Sequence, residues 1–117
     1  FYPDLAIHEK KEKREKERML ILKRTIEALD CLSKKVNFSE AFLFGSLTKQ
    51  YSFTEESDVD IAFYGLSDED FFYTIAFLSQ KIRRDVDIIQ LENHPLRDKI
   101  YDTGVIKWIQ KNYLKSA

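Results

Sequence analysis

The sequence predicts an α/β fold in a single domain. Three observations carry that prediction. Apolar spacing switches between a helical and a strand period along the chain, in the order α-β-α-β-α-β-α-β. The 117 residues are one domain's length and bury a small but adequate core. Hydrophobic residues make up 44% against 33% charged, which separates the chain from disordered ones.

The first helix is expected from about Asp4 or Glu9 to about Lys35. Met19, Leu22, Ile26 and Leu29 repeat at helical spacing and are expected to form its buried stripe. Residues 9–18 lack any apolar side chain, so residues 1–18 read as a charged, solvated helical extension, with Glu9–Lys13 and Glu12–Lys16 as i,i+4 pairs. A strand follows at about Glu40–Phe44 and is broken by Gly45-Ser46. Residues 46–51 suit a short helix, and residues 52–57 a polar loop. In Asp58–Tyr64, Val59, Ile61 and Phe63 alternate with Asp58, Asp60 and Ala62, as a strand requires. Ser67 and Asp70 form a capping-box variant before a helix whose stripe is Phe71, Ile75, Leu78 and Ile82. Val86–Leu91 is a third strand. Pro95 suits the first turn of another helix, Gly104 its stop, and Val105–Ile109 a last short strand.

The formal net charge of −1 hides an asymmetry. Residues 9–24 hold eight Lys/Arg against four Glu, whereas residues 40–70 hold eight acids against the one base Lys49. The basic segment alternates with Glu and lacks interleaved aromatics, so nucleic acid is not an expected partner. The acidic segment is either a solvated face or a cation site. No apolar run approaches the ~18 residues of a membrane span, and no signal peptide is visible. Cys31 stands alone, which excludes an internal disulfide and points to a reducing, cytoplasmic setting. His8 and His94 lack the spacing of zinc ligands. Cys31 is expected to be packed or half-exposed. Phe71, Phe72, Tyr73 and Phe77 crowd one helix, so some aromatic surface should stay exposed, facing a partner.

Three features converge on chemistry. Gly45-Ser46 sits at a strand-to-turn junction, where glycine lets backbone approach a ligand and serine offers a hydroxyl beside backbone N–H groups, a phosphate-binding arrangement. Taken alone the signal is weak, since a Gly-Ser after a strand is more often just a capped turn. Asp58-Val59-Asp60 places two carboxylates on one strand face, about 6.6 Å apart along it; buried side by side such charges need a cation, whereas an Asp-x-Asp taken alone reads first as two solvated acids on an exposed face. Asp85-Val86-Asp87 repeats the pattern on another strand. If the strands are neighbours, Asp87 joins Asp58 and Asp60, and three carboxylates with nucleotide phosphates suit Mg²⁺, as two ions. A carboxylate could also take the proton from an attacking hydroxyl.

Gly45-Ser46, eleven residues, then Asp58-Val59-Asp60-Ile61 resembles the nucleotidyltransferase signature of the DNA polymerase β-like superfamily. From about residue 20 to 110 the chain is similar to its small members, the minimal nucleotidyltransferases, including Val86-Asp87-Ile88-Ile89 and the Leu96-Arg97…Gly104-Val105-Ile106 ending. The resemblance implies a small mixed sheet flanked by helices. It implies that Ser46, with Gly45, lies near the phosphates of ATP or another NTP, that Asp58 and Asp60 bind Mg²⁺, and that Asp87 is a third ligand or general base. The flanking apolar strand favours Asp87 over Asp85. Where the family often reads Gly-Ser-x-Ala-Arg-Gly, this chain has Gly45-Ser46-Leu47-Thr48-Lys49-Gln50. Lys49 supplies a cation without arginine's fork, and Gln50 replaces a flexible glycine. Relatives of this size are often encoded beside a HEPN-domain toxin and serve as antitoxins, some by adding AMP to the toxin's tyrosine. A partner protein as acceptor suits a chain with no evident second-substrate domain. The alternative is an antitoxin acting by occlusion with a weak or absent activity. Self-association stays open.

Overall fold

A computed structural model describes residues 3–102 and 106–109. Helix α1 spans Pro3–Leu32, strand β1 Glu40–Phe44, strand β2 Val59–Tyr64, helix α2 Phe71–Ile82, strand β3 Val86–Gln90, helix α3 Arg97–Asp102 and strand β4 Ile106–Trp108. A single 3-10 turn, Gly45–Thr48, stands where a helix over 46–51 was expected. Gly104 and Val105, the expected helix stop and strand start, lie outside the described residues, as do the chain's last eight residues.

The strands form one mixed sheet in the order β3-β2-β1-β4. β1 is antiparallel to β2 and to β4, whereas β2 and β3 run parallel, joined by the α2 crossover. Alternation sorts the side chains cleanly. Leu43, Val59, Ile61, Phe63 and Ile88 face the helical layer of α1 and α2, with Leu29, Leu32, Leu78 and Ile82 packed on them. The opposite face carries a smaller cluster, Phe42, Ala62, Leu91 and Ile100, the last from α3. Toward the end of that face where β2 and β3 begin, aliphatic residues give way to Asp60 and Asp87.

The buried side of α1 differs from the expected stripe. Met19 is 53% exposed and Ile26 38%, whereas Arg18, Ile21, Thr25, Ala28, Leu29 and Leu32 are buried. Two polar residues occupy this face because each is satisfied there. Thr25 Oγ1 donates to the Ile21 carbonyl at 2.7 Å, and Arg18 bonds across to a loop described below. Glu12 pairs with His8 at 3.0 Å in place of the expected Lys16.

α2 follows its expected stripe, with Leu78 and Ile82 buried and Phe71 and Ile75 packed against the core. Its start departs from the capping box. Ser67 Oγ bonds the Asp70 carboxylate at 3.1 Å, but no side chain caps the backbone, because a 3-10 turn over Asp68–Asp70 precedes the helix. Phe72, 79% exposed, and Tyr73 leave aromatic surface open, as expected. Cys31 is exposed, not packed.

Candidate active site

The strand register assembles the site. In the parallel ladder Asp60 lies opposite Asp87, and in the antiparallel one it lies opposite Phe44. Directly opposed residues share a face, so Phe44, Asp60 and Asp87 form a row across three strands, with neighbouring strands about 4.8 Å apart. Asp58, one residue before β2, enters on the same side as Asp60 and is exposed, as is Asp87. Asp85 precedes β3, and its carbonyl accepts the Val59 N–H at 2.9 Å, which ties the starts of the two strands together.

The electrostatics follow from this geometry. Burial pushes the Asp60 carboxyl from an ordinary 3.8 up to about 6, and the charges of Asp87 and then Asp58 add to the rise. Among the described residues no cation offsets this rise; the groups that act on Asp60 are the two other acids, and Gly45 closes against it.

Gly45 follows β1 directly and adopts φ +72. A Cβ there would overlap Oδ2 of Asp60 and stand 3.2 Å from its Cγ. The backbone angle therefore favours glycine, and any side chain there would have to displace the Asp60 carboxylate. Ser46 is the half-buried second residue of the 3-10 turn, in which Thr48 Oγ1 donates to the Gly45 carbonyl at 2.8 Å and the Lys49 N–H to the Ser46 carbonyl at 3.2 Å. Lys49 is exposed beyond it. The residues singled out in the sequence thus fall at one end of the sheet.

Four residues to which the sequence pattern assigns no role hold this end together. Arg84 Nη2 donates to the carbonyls of Thr54 (2.8 Å) and Ser57 (2.6 Å), fixing the loop that leads into Asp58. Its guanidinium lies 4.5 Å from the ring centroid of buried Phe53, a cation–π stack. Arg18 and Glu15 reach the turn after β1, with Arg18 Nη1 donating to the Leu47 carbonyl at 2.9 Å. The expected solvated extension therefore ends near residue 13; Arg14 already contacts Glu55, at 3.4 Å. The sequence does carry one signal for this: Arg18 continues the Ile21, Thr25, Leu29 and Leu32 series at helical spacing.

Among the described residues no three His, Cys, Asp or Glu side chains converge to hold a metal unaided. Mg²⁺ asks less, taking one or two carboxylates and completing its octahedron with phosphate and water oxygens. The hard oxygen donors of Asp58, Asp60 and Asp87 suit that ion.

A family model described as polymerase beta nucleotidyltransferase matches residues 27–108. The chain belongs to that family. The mixed sheet with its flanking helices is the fold of the polymerase beta-like nucleotidyltransferases. Among solved structures, the chain is similar to a candidate nucleotidyltransferase from Sulfolobus solfataricus, at 17% identity and a TM-score of 0.49, over 83% of this chain and 86% of that one. No curated protein matches. No helix among the described residues is long and apolar enough to cross a membrane.

Proposed function

We propose that this chain transfers a nucleoside monophosphate, AMP from ATP as first candidate, to a hydroxyl on a partner protein. The observation that carries the reading is the row in which Asp60 faces Asp87 across a parallel register, with Asp58 two residues upstream and Gly45 closed down upon Asp60. Family membership supports the reaction class.

Asp58, Asp60 and Asp87 would hold Mg²⁺, as two ions. When bound, Mg²⁺ supplies neutralisation of the triphosphate and polarisation of the attacked phosphorus. Gly45 and Ser46 bring backbone and hydroxyl to the phosphates, and Lys49 adds a cation at the rim. The acceptor oxygen forms a bond to the α-phosphorus, and the bond from that phosphorus to the oxygen of the β-phosphate breaks. Pyrophosphate leaves with the electron pair. The hydroxyl proton goes to a carboxylate, for which Asp87 is the choice because it is exposed at the row's open edge.

The acceptor is taken to be a HEPN-type toxin, which gives the protein an antitoxin role in the cytoplasm, and residues 1–117 act as one nucleotidyltransferase domain. Exposed aromatic surface on α2 supports protein association. The exposed Lys49, in place of a forked arginine, favours a second reading, in which the chain neutralises its partner by occlusion alone. Incubation with Mg²⁺, α-labelled ATP and the protein captured from native lysate separates the two. Label on the partner, abolished by Asp58→Asn, supports transfer. Absence of label, with full neutralisation by Asp60→Ala, leaves occlusion.

A further inference from the structure

The turn that follows β1 is gripped at two points by one ion pair on α1. Arg18 is 9% exposed. Its Nη1 donates to the Leu47 carbonyl at 2.9 Å, and its Nε to Oε1 of Glu15 at 2.9 Å. The other oxygen of Glu15, Oε2, accepts the Tyr51 N–H at 2.9 Å. The pair thus holds the middle of the Gly45–Tyr51 segment by a carbonyl and its end by an amide.

This grip meets a need of the backbone. Tyr51 sits at φ +64, in the left-handed region that costs a non-glycine residue about 1 kcal/mol or more. At its other end the segment is fixed by Gly45 against Asp60. Ser46 lies between these two anchors. Leu47, fully buried, pins the turn to the core, and α1 is itself anchored through Ile21, Leu29 and Leu32. Removing Arg18 leaves a buried carbonyl without its partner and releases the turn on the side away from Asp60.

We propose that Arg18, fixed by Glu15, is a positioning residue that sets the Gly45–Ser46 turn in the shape that receives nucleotide phosphates. The inference rests on the nucleotidyltransferase reading above. Arg18 acts through the turn and does not touch the substrate. Hydrogen bonding from Arg18 also holds the Glu15 carboxyl below the ordinary carboxylate range, helped by the Tyr51 amide and the charge of Arg18 against a desolvation cost.

The test is calorimetric binding of α,β-methylene-ATP with Mg²⁺, at low temperature, to the full chain and to Arg18→Met, Arg18→Lys and Glu15→Ala, with circular dichroism and thermal unfolding of each. Methionine keeps the stem and removes every donor, whereas lysine keeps a cation able to reach the carbonyl and Glu15. The expected result is at least tenfold weaker binding by folded Arg18→Met, recovery to within about threefold of the native affinity by Arg18→Lys, and an intermediate loss for Glu15→Ala. If Arg18→Met does not fold, Glu15→Ala, whose carboxylate is nearer the surface, carries the same comparison. Native affinity in a folded Arg18→Met, or in Glu15→Ala, overturns the positioning role and leaves the nucleotidyltransferase reading standing. Failure of the native chain itself to bind overturns that reading, and the positioning role with it.

Discussion

Replacing Asp60 by asparagine should stabilise the metal-free protein at neutral pH while disabling its site. The magnitude follows from the carboxyl's displacement from 3.8 to about 6. At about 1.4 kcal/mol per unit, the full displacement corresponds to about 3 kcal/mol. Asp60 is only half-buried, and solvent screening reduces this to about 1–2 kcal/mol. The sign is set by linkage. A carboxyl with a folded-state value above its unfolded one contributes stability that is fully present below about pH 4 and lost as pH rises through about 6. At pH 7.5 the native state therefore carries the whole cost of a charge crowded by burial, Asp87 and Asp58, whereas a neutral asparagine side chain carries none. Urea unfolding in EDTA from pH 4 to 8 reads the difference. The variant should exceed the native protein by about 1–2 kcal/mol at pH 7.5, and the gain should close toward pH 4. Mg²⁺ with an ATP analogue should then raise the native protein's stability and leave the variant's unchanged. A pH-independent difference, or a less stable Asp60→Asn at pH 7.5, refutes the account of a strained acid row.

Gly45→Ala should destabilise by about 1–2 kcal/mol from its backbone angle alone and abolish binding of the Mg²⁺–ATP analogue; in an Asp60→Ala background part of its cost should vanish, because the overlapping oxygen is gone, and a double-mutant cycle in urea measures this. Thr74 is fully buried with a hydroxyl that bonds nothing among the described residues, so Thr74→Val should stabilise by about 1 kcal/mol in the same assay. Arg84→Met removes bonds to two loop carbonyls and the stack on Phe53, and should cost about 1–3 kcal/mol. It should also raise the Mg²⁺ concentration needed for half-maximal analogue binding, since it frees the segment leading into Asp58.

β2 was legible because Val59, Ile61 and Phe63, all fully buried, alternate with Asp58 and Asp60, and a period of two is the mark of an extended chain, whereas β1, buried at Ala41, Phe42 and Leu43 alike, was legible as a short apolar run ended by a glycine. The acids were legible for the same reason, as charges interrupting otherwise apolar strands. The rotation of α1 was not. Over residues 19–32 more than half of its side chains are apolar, so spacing alone admits both Met19–Leu22–Ile26 and Ile21–Ala28–Leu32 as the inner side. The choice fell to the second because Arg18 and Thr25 find hydrogen-bond partners there, and such partners are tertiary facts. Arg84 was illegible on like grounds. A basic residue before a strand reads as surface, and only folding brings Phe53 beneath it and two carbonyls beside it. Tyr51 gave no warning of its left-handed backbone, which a neighbouring glycine would have signalled.

The acid row is unfavourable in itself, so something else must fix its register. A one-residue slip of β2 would turn Val59, Ile61 and Phe63 to the opposite face and carry Asp60 into the apolar layer under α1 and α2. Each of those side chains gains about 1.5–3 kcal/mol from burial, so the slip forfeits about 5–9 kcal/mol. The whole strain on Asp60, burial first and the neighbouring acids second, is about 1–2 kcal/mol by the reckoning above, so the repulsion the slip would relieve is smaller still. The core therefore outweighs the acids several-fold, and Asp60 is held opposite Asp87 whether or not a cation is present. The turn at Gly45–Ser46 has no such guarantee from the sheet. It hangs from the end of β1 and depends on buried Leu47 and the Arg18–Glu15 pair for its shape. In the proposed reaction the carboxylates are thus fixed by burial and the phosphate-facing turn by hydrogen bonds from α1. Side-chain truncation on that helix should disturb nucleotide affinity before it disturbs the acid row.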